Sequence, residues 1–347
     1  MFQFDESPAP VPDDLPGLMS SVWEDISTPG SGWTGTERVA LANISRMARS
    51  GNHSGQTSLP HGAVRAAELI TTEPQMATKQ WVDRVVKDIG EPRYVELVGV
   101  VAAVTGVDII TQFLGAQTVP LPTPKPGAAV SGTNPSARTG KAWVKMEGPP
   151  LPRNALSVVP ATQATANRLL DRLYVTREDH QDPGTIRGLS RVHVELVATV
   201  VSHGNHCFYC TLGHLIALRE RAEEQGIEVD HRSIVDRDID PGFVGGRELI
   251  DLGVESTRIS PRPAVLVALA EVIGTAAAVT AVEVAASFGM TNRIIEATGQ
   301  PVLVNQRKQM MPLLQEIGAD EFPHSELTIE RKKPGFTTKL RRKLTGR

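Results

Sequence analysis

The 347-residue sequence predicts an all-α protein built from two tandem helical domains, and three observations carry that reading. Aromatic residues make up only 4% of the chain, too few for a β-sandwich core, while Ala and Val are abundant. Two long apolar runs, at 94–110 and 264–290, are interrupted by Glu96 and Asp108 in the first and by Glu271 and Glu283 in the second. A charge at the centre of a spanning helix costs about 2.5–3.5 kcal/mol, so these runs read as buried helices and no membrane span is expected. Finally, the close of the first run (DIITQFLG, 108–115) is echoed at the close of the second (NRIIEATG, 292–299), and Glu37-Arg-Val-Ala is echoed by Glu195-Leu-Val-Ala.

The elements follow in order. Residues 1–20 hold Pro8, Pro10, Pro12 and Pro16 among acids, lack the basic-then-apolar layout of a leader, and read as a flexible N-terminal arm. Residues 21–118 form a first, degenerate, cysteine-free helical repeat. Thr36 is expected to cap a helix over 37–48, amphipathic segments follow at 63–71 and 76–89, and the apolar run closes at Gly115. Residues 119–150, with prolines at 120, 122, 124 and 126, form a Pro-rich linker of extended backbone.

The second domain spans 151–304. Residues 161–174 carry an apolar stripe of Leu169, Leu170 and Leu173, and Ser190 is a natural N-cap for a helix through Val201. Residues 202–205 break that helix, and Asn205 is expected to cap the next, through Glu224. Residues 225–254 are less regular; Asp236, Asp238 and Asp240 alternate there, without the downstream Gly and Glu that a calcium loop requires. A helix with a bend near Gly289 is expected from 264 to Gly299, its Glu271 and Glu283 paired with arginines such as Arg262 or Arg293. Residues 305–347 are a C-terminal extension ending in a basic tail with eight Lys/Arg and no acid over 331–347. Phe336, Leu340 and Leu344 would allow an amphipathic basic helix there; a disordered or folded-back tail is the simpler reading. The net charge of −3 argues against a globally basic nucleic-acid binder.

The chemistry gathers at the only two cysteines, Cys207 and Cys210, too few for a disulfide scaffold. With no leader in view, a cytoplasmic setting is expected, where such a pair is redox-active or metal-binding. Cys207, Cys210 and His214 stand at i, i+3 and i+7, one stripe of a helix. In its first turns, unpaired amides and the positive end of the helix dipole favour thiolate, making one sulfur a nucleophile and the other a disulfide partner. Glu195, on the preceding helix and turned back through Gly204, would accept a proton, and His214 would exchange one with Cys210 or a bound water. Two other readings stay open: a pair of inert buried thiols, and a zinc site completed from His203, His206 and His214. His193 and His203 read as surface or helix-end residues, and Tyr209 as either packing or a donor to the pocket.

Glu195, Cys207, Cys210 and His214, in the spacing E-x11-C-x2-C-x3-H, together with Asn205, Tyr209, Asn292-Arg293 and Gly299, resemble alkyl hydroperoxidase D-like proteins of the carboxymuconolactone decarboxylase superfamily. The resemblance covers about 151–304 and touches the first half only faintly. It implies an all-helical, oligomer-forming fold and a thiol peroxidase activity on hydroperoxides. Cys210 would be the peroxidatic thiol, Cys207 the resolving one, and Glu195 with His214 the proton relay, Glu195 taking a proton from Cys207. A dithiol reductant, a lipoyl group on a partner protein or a thioredoxin-like donor, would reopen the disulfide, and no cofactor would be needed. Phe208 and Tyr209 stand where the best-known members place a histidine between the cysteines, and Arg49 stands twelve residues after Glu37, so the first half carries no such site. The wider superfamily also suggests a decarboxylase, whose members generally lack the cysteine pair; a zinc- or redox-sensing interaction protein is the non-enzymatic alternative.

Overall fold

The computed structural model describes residues 2–52, 55, 57–115, 119–130, 132–175, 184–258 and 262–330; the basic tail at 331–347 lies outside the described residues. The described residues include twelve α-helices and are 61% helical and 3% strand, an all-α composition. Helices α1 (Leu15–Ser27), α2 (Gly35–Arg49), α3 (His61–Thr72), α4 (Lys79–Ile89) and α5 (Glu91–Phe113) precede the proline-rich stretch. After it come α6 (Pro160–Leu173), α7 (Arg191–Gly204), α8 (Phe208–Gln225), α9 (Gly246–Ser256), α10 (Ala264–Ile273), α11 (Thr275–Thr298) and α12 (Val304–Glu316). A two-residue hairpin, β1 (Thr185–Ile186) with β2 (Leu189–Ser190), leads into α7. A parallel pair, β3 (Val302–Leu303) with β4 (Thr328–Ile329), ties the chain beyond α12 back to its start.

Helices α5 and α11 pack along each other at the centre. α2, α3 and α4 lie against α5, α7, α9 and α10 against α11, and α6 against both. A helix covered on all sides needs no polar face, which is why both are apolar almost all round. α5 is long and apolar enough to cross a membrane by length and composition, and 94% of its apolar window is buried against other parts of the chain. Its carboxylates are answered individually. Glu96 accepts from the Gly32 amide at 2.6 Å and faces Arg38 at 3.3 Å, and Asp108 accepts from Arg46 at 2.6 and 3.0 Å.

The structure corrects several local expectations. Thr34, not Thr36, caps α2: its side chain accepts from the Glu37 amide, and the Glu37 carboxylate, at the third helical position, accepts from the Thr34 amide and completes a capping box. The apolar run from 264 is two helices broken at Gly274 and is not bent at Gly289. Gly274 has φ 87°, which ends α10 and starts α11. Gly289 serves close packing instead: a Cβ there would lie 2.4 Å from Ile109 of α5. Glu283 pairs with Arg172 and Arg187, both at 2.9 Å, because it faces α6 and the β1–β2 turn. Arg262 pairs with Glu255 at 2.7 Å, Arg293 donates to the Thr71 and Gly289 carbonyls, and Glu271 is exposed. The irregular stretch at 225–254 contains the start of α9, and Asp236 and Asp240 accept from amides two residues ahead, as turn residues do.

The expected N-terminal arm lies on the body. Phe2 is buried with its ring 5.1 Å from that of Trp23, α1 begins at Leu15, and Asp14 pairs with Arg172. The linker is likewise strapped down. The amides of Lys125 and Val130 donate to the Ser27 and Gly30 carbonyls, and that of Trp143 to Thr298 at the end of α11.

Matching geometries recur in the two halves. Gly90 joins α4 to α5 at φ 87°, ψ 145°, and Gly274 joins α10 to α11 at φ 87°, ψ 152°. Gly115 and Gly299, just past the ends of α5 and α11, are both left-handed, at φ 69° and 62°. Thr34 caps α2 as Ser190 caps α7. Counted from those caps, Glu195 stands opposite Val39 rather than Glu37, and Arg49 stands opposite Asn205.

Candidate active site

The site is assembled where α7, α8 and α11 meet. The Ser190 side chain accepts from the His193 amide and fixes the start of α7. Glu195, just over one turn in, is fully buried. After Gly204 the chain reverses through Asn205 and His206, the latter at φ 51°, and the Cys207 amide donates back to the Ser202 carbonyl at 2.9 Å. Cys207 itself is therefore the N-cap of α8, and Asn205 is not. Asn205 instead donates to Asn292 of α11 at 2.9 Å, and Asn292 donates to Ser202 at 3.1 Å, so the reversal is pinned to the central helix. Both cysteines still occupy the opening turn of α8, beside its unpaired amides.

Four sequence-picked residues converge. Cys207 and Cys210 approach to 3.5 Å without a disulfide, both buried, with Ile295 of α11 packed against them. Glu195 and His214 are joined directly: the His214 Nδ1 lies 2.7 Å from Glu195 Oε2. With Glu195 ionised, Nδ1 is the donor of this bond. The other oxygen, Oε1, accepts from Tyr174 at 2.9 Å and from Arg191 at 2.7 Å. Among the described residues, neither sulfur donates to Glu195.

The electrostatics follow from these contacts. Burial works to raise the Glu195 carboxyl, but His214, Arg191 and Tyr174 together outweigh it and hold the group below the usual carboxylate value. Burial pushes the Cys207 thiol well up, and the neighbouring Cys210 and Glu296 add to that; the Cys210 amide opposes it. At Cys207 desolvation is a larger effect than the helix-end amide, which acts in the expected direction but is outweighed. Burial and the Glu195 charge raise the Tyr174 hydroxyl, and burial with both sulfurs raises that of Tyr209, so both stay protonated donors.

A cavity of about 670 Å³ opens onto one side of this group. Cys210, His214, Glu195, Tyr174 and Tyr209 line it, with Leu170, Ala217 and Phe288 supplying apolar wall. Cys207 is not in the lining. His214 is held edge-on by Phe288 at 4.3 Å and Tyr174 at 5.6 Å. Residues 149 and 151–154, from the linker and the turn after it, form the outer rim.

Sequence reasoning missed Tyr174, Phe288 and this rim, which come from distant segments and leave no local spacing to read. Arg191 was findable, since it stands four residues before Glu195 on a helix. The other histidines lie elsewhere: His193 bonds Ser190 and the Val244 carbonyl, His203 the Ile317 carbonyl, and the His206 ring meets Phe322 at 4.9 Å. Among the described residues no three of His, Cys, Asp and Glu gather as metal ligands. Compared with models of known protein families, with curated proteins and with solved structures, the chain returns no match.

Proposed function

We propose that this chain is a thiol-dependent hydroperoxide reductase with an alkyl hydroperoxidase D-like second domain, working in the cytoplasm and as an oligomer. The observation that carries the reading is the asymmetry of the pair: Cys210 faces a mostly apolar cavity beside the Glu195–His214 pair, while Cys207 sits behind it, 3.5 Å away. The Cys210 thiolate attacks the outer oxygen of a hydroperoxide; a sulfur–oxygen bond forms and the O–O bond breaks. The departing alkoxide takes a proton relayed by His214, with Glu195 steadying the imidazolium, and Cys210 is left as a sulfenic acid. Cys207 then attacks that sulfur, the disulfide forms, and the oxygen leaves as water. A dithiol donor, lipoyl or thioredoxin-like, supplies two electrons to reopen the disulfide, and neither metal nor organic cofactor enters the cycle. Burial keeps Cys207 protonated until its turn, which suits a resolving thiol.

The matched glycine joints, caps and helix pairings support the further reading that the first half is a degenerate copy of the second, standing where a second subunit would pack. A coupled assay with an alkyl hydroperoxide and several dithiol donors tests the activity. Cys210→Ser is expected to abolish peroxide consumption, and Cys207→Ser to allow one turnover before over-oxidation. Unchanged steady-state turnover in Cys210→Ser overturns the assignment.

A further inference from the structure

Thr291 of α11 lines the cavity together with Cys210 and His214 and is only 3% exposed. Among the described residues no group lies within hydrogen-bond reach of its hydroxyl. Threonines inside helices can turn the hydroxyl back onto the carbonyl four residues earlier. Thr280 and Thr298 of the same helix do so, at 3.1 and 2.6 Å, as do Thr105 of α5 and Thr199 of α7, at 2.9 and 2.7 Å. Thr291 does not. A buried hydroxyl left without a partner costs stability, and this one borders a cavity where a ligand oxygen would answer it. Ser287 and Thr211 are also buried with unpartnered hydroxyls, but neither lines the cavity.

Helix geometry places Thr291 beside the reacting groups. Phe288, Thr291 and Ile295 stand at i, i+3 and i+7, one stripe of α11, just as Cys207, Cys210 and His214 form one stripe of α8. The stripes meet in opposite directions: the Phe288 ring lies 4.3 Å from that of His214, and Ile295 packs on both sulfurs. Thr291 falls between these two contacts, opposite the step from Cys210 to His214. Glu195, Tyr174, Arg191 and the His214 Nδ1 are already joined to one another.

We propose that Thr291 is a catalytic residue whose hydroxyl holds the peroxy group of the substrate, donating to the oxygen that leaves when Cys210 attacks. This rests on the peroxidase reading above and adds to it a substrate-binding donor. Cys210 gives its proton to His214 as the thiolate forms. The thiolate electron pair makes the S–O bond to the outer oxygen, and the O–O pair leaves on the inner oxygen. The proton held by His214 then completes the alcohol. Thr291 keeps its own proton throughout, and its bond to the inner oxygen strengthens as negative charge builds there. The organic part of the hydroperoxide lies against Leu170, Ala217 and Phe288.

The test uses three substitutions in the full chain: Thr291→Val, of the same shape without the hydroxyl; Thr291→Ser, which restores it; and Ser287→Ala, which removes an unpartnered hydroxyl outside the cavity. Each is made in a Cys207→Ser background, so that only Cys210 reacts. Oxidation of Cys210 by cumene hydroperoxide is expected to slow roughly 100-fold in Thr291→Val, as loss of one donor to a developing oxyanion does. Thr291→Ser is expected to recover most of that rate, and Ser287→Ala to match the background. Alkylation of Cys210 by benzyl bromide, which has no oxygen to hold, is expected to be unchanged in all three. The urea midpoint of Thr291→Val is expected to rise, because a methyl replaces an unpartnered hydroxyl. Peroxide oxidation as fast in Thr291→Val as in the background overturns the proposal, and so does an equal slowing of oxidation and alkylation, the mark of a merely structural role. If Cys210 of the background protein is alkylated but not oxidised by the hydroperoxide, the peroxidase reading falls and takes this proposal with it. An active background protein with a full-rate Thr291→Val overturns this proposal alone.

Discussion

Where α2 crosses α5, Arg46 grips Asp108 in a bidentate pair at 2.6 and 3.0 Å, and the buried Arg49 stands nearby, its charge supported by Asp108 against the cost of burial. At the corresponding crossing of α7 with α11 the three positions hold Ser202, Asn292 and Asn205, joined by neutral hydrogen bonds at 3.1 and 2.9 Å. The scaffold is alike and the chemistry differs. A charged trio needs fixed partners and tolerates little change around it. A neutral trio ties down the helix reversal while adding no formal charge beside Cys207, whose amide bonds to the Ser202 carbonyl. The first half spends this crossing on holding itself together, and the second leaves it quiet next to the sulfurs.

The comparison is broken most severely at Glu195, whose counterpart in cap register is the apolar Val39. Glu195→Gln removes the carboxylate behind His214, and peroxide turnover is expected to fall by about 10²–10⁴-fold in the coupled assay, the usual worth of a positioned acid–base pair. The same substitution has a pH signature. The folded-state pKa of Glu195 is below its ordinary value of 4.5, so its charge adds stability that is fully present above that value and is lost as pH falls through the folded pKa. Denaturant titrations of wild type and variant should therefore differ most at neutral pH and converge as the solution is acidified below about 4.5.

A second break targets the crossings directly. Asp108→Ala leaves the part-buried Arg46 guanidinium without its carboxylate, and removing one partner of such a pair costs about 3–5 kcal/mol. Asn292→Ala removes a neutral bridge, for which about 1–3 kcal/mol is expected. Urea midpoints measure both. Equal losses would mean that the two crossings are held in the same way.

Much of this could be read from residue order, and the exceptions have physical reasons. Helical content, the Ser190 cap and the Cys207–Cys210–His214 stripe depend on neighbours within a few residues, so periodicity and capping chemistry suffice to find them. One helix reversal brings Glu195 back onto α8, as expected, but its partner there is the His214 ring and neither thiol is hydrogen-bonded to it. Tyr174 and the rim at 151–154 come from segments whose approach depends on how α6 packs, which no local pattern records. Gly274 was hidden inside a run of strong helix formers, where its left-handed φ has no trace in composition. Which of the two sulfurs is the more deeply desolvated was not legible either, because helix-end amides can be inferred from order, whereas full burial cannot.

The mildest test compares the two caps. Thr34 takes part in a reciprocal box, accepting from the Glu37 amide while Glu37 accepts from both the Thr34 amide and its hydroxyl. Ser190 instead shares its hydroxyl between the His193 amide at 3.4 Å and the His193 ring at 2.6 Å. Losing an N-cap side chain costs about 0.5–2 kcal/mol, and the box places Thr34→Ala toward the upper end. Ser190→Ala should cost less in stability, since its amide contact is long. Its consequence is expected in turnover instead, because α7 carries Glu195 just over a turn beyond the cap. A larger activity loss from Thr34→Ala than from Ser190→Ala would mean that the first half takes part in the chemistry and does more than pack against it.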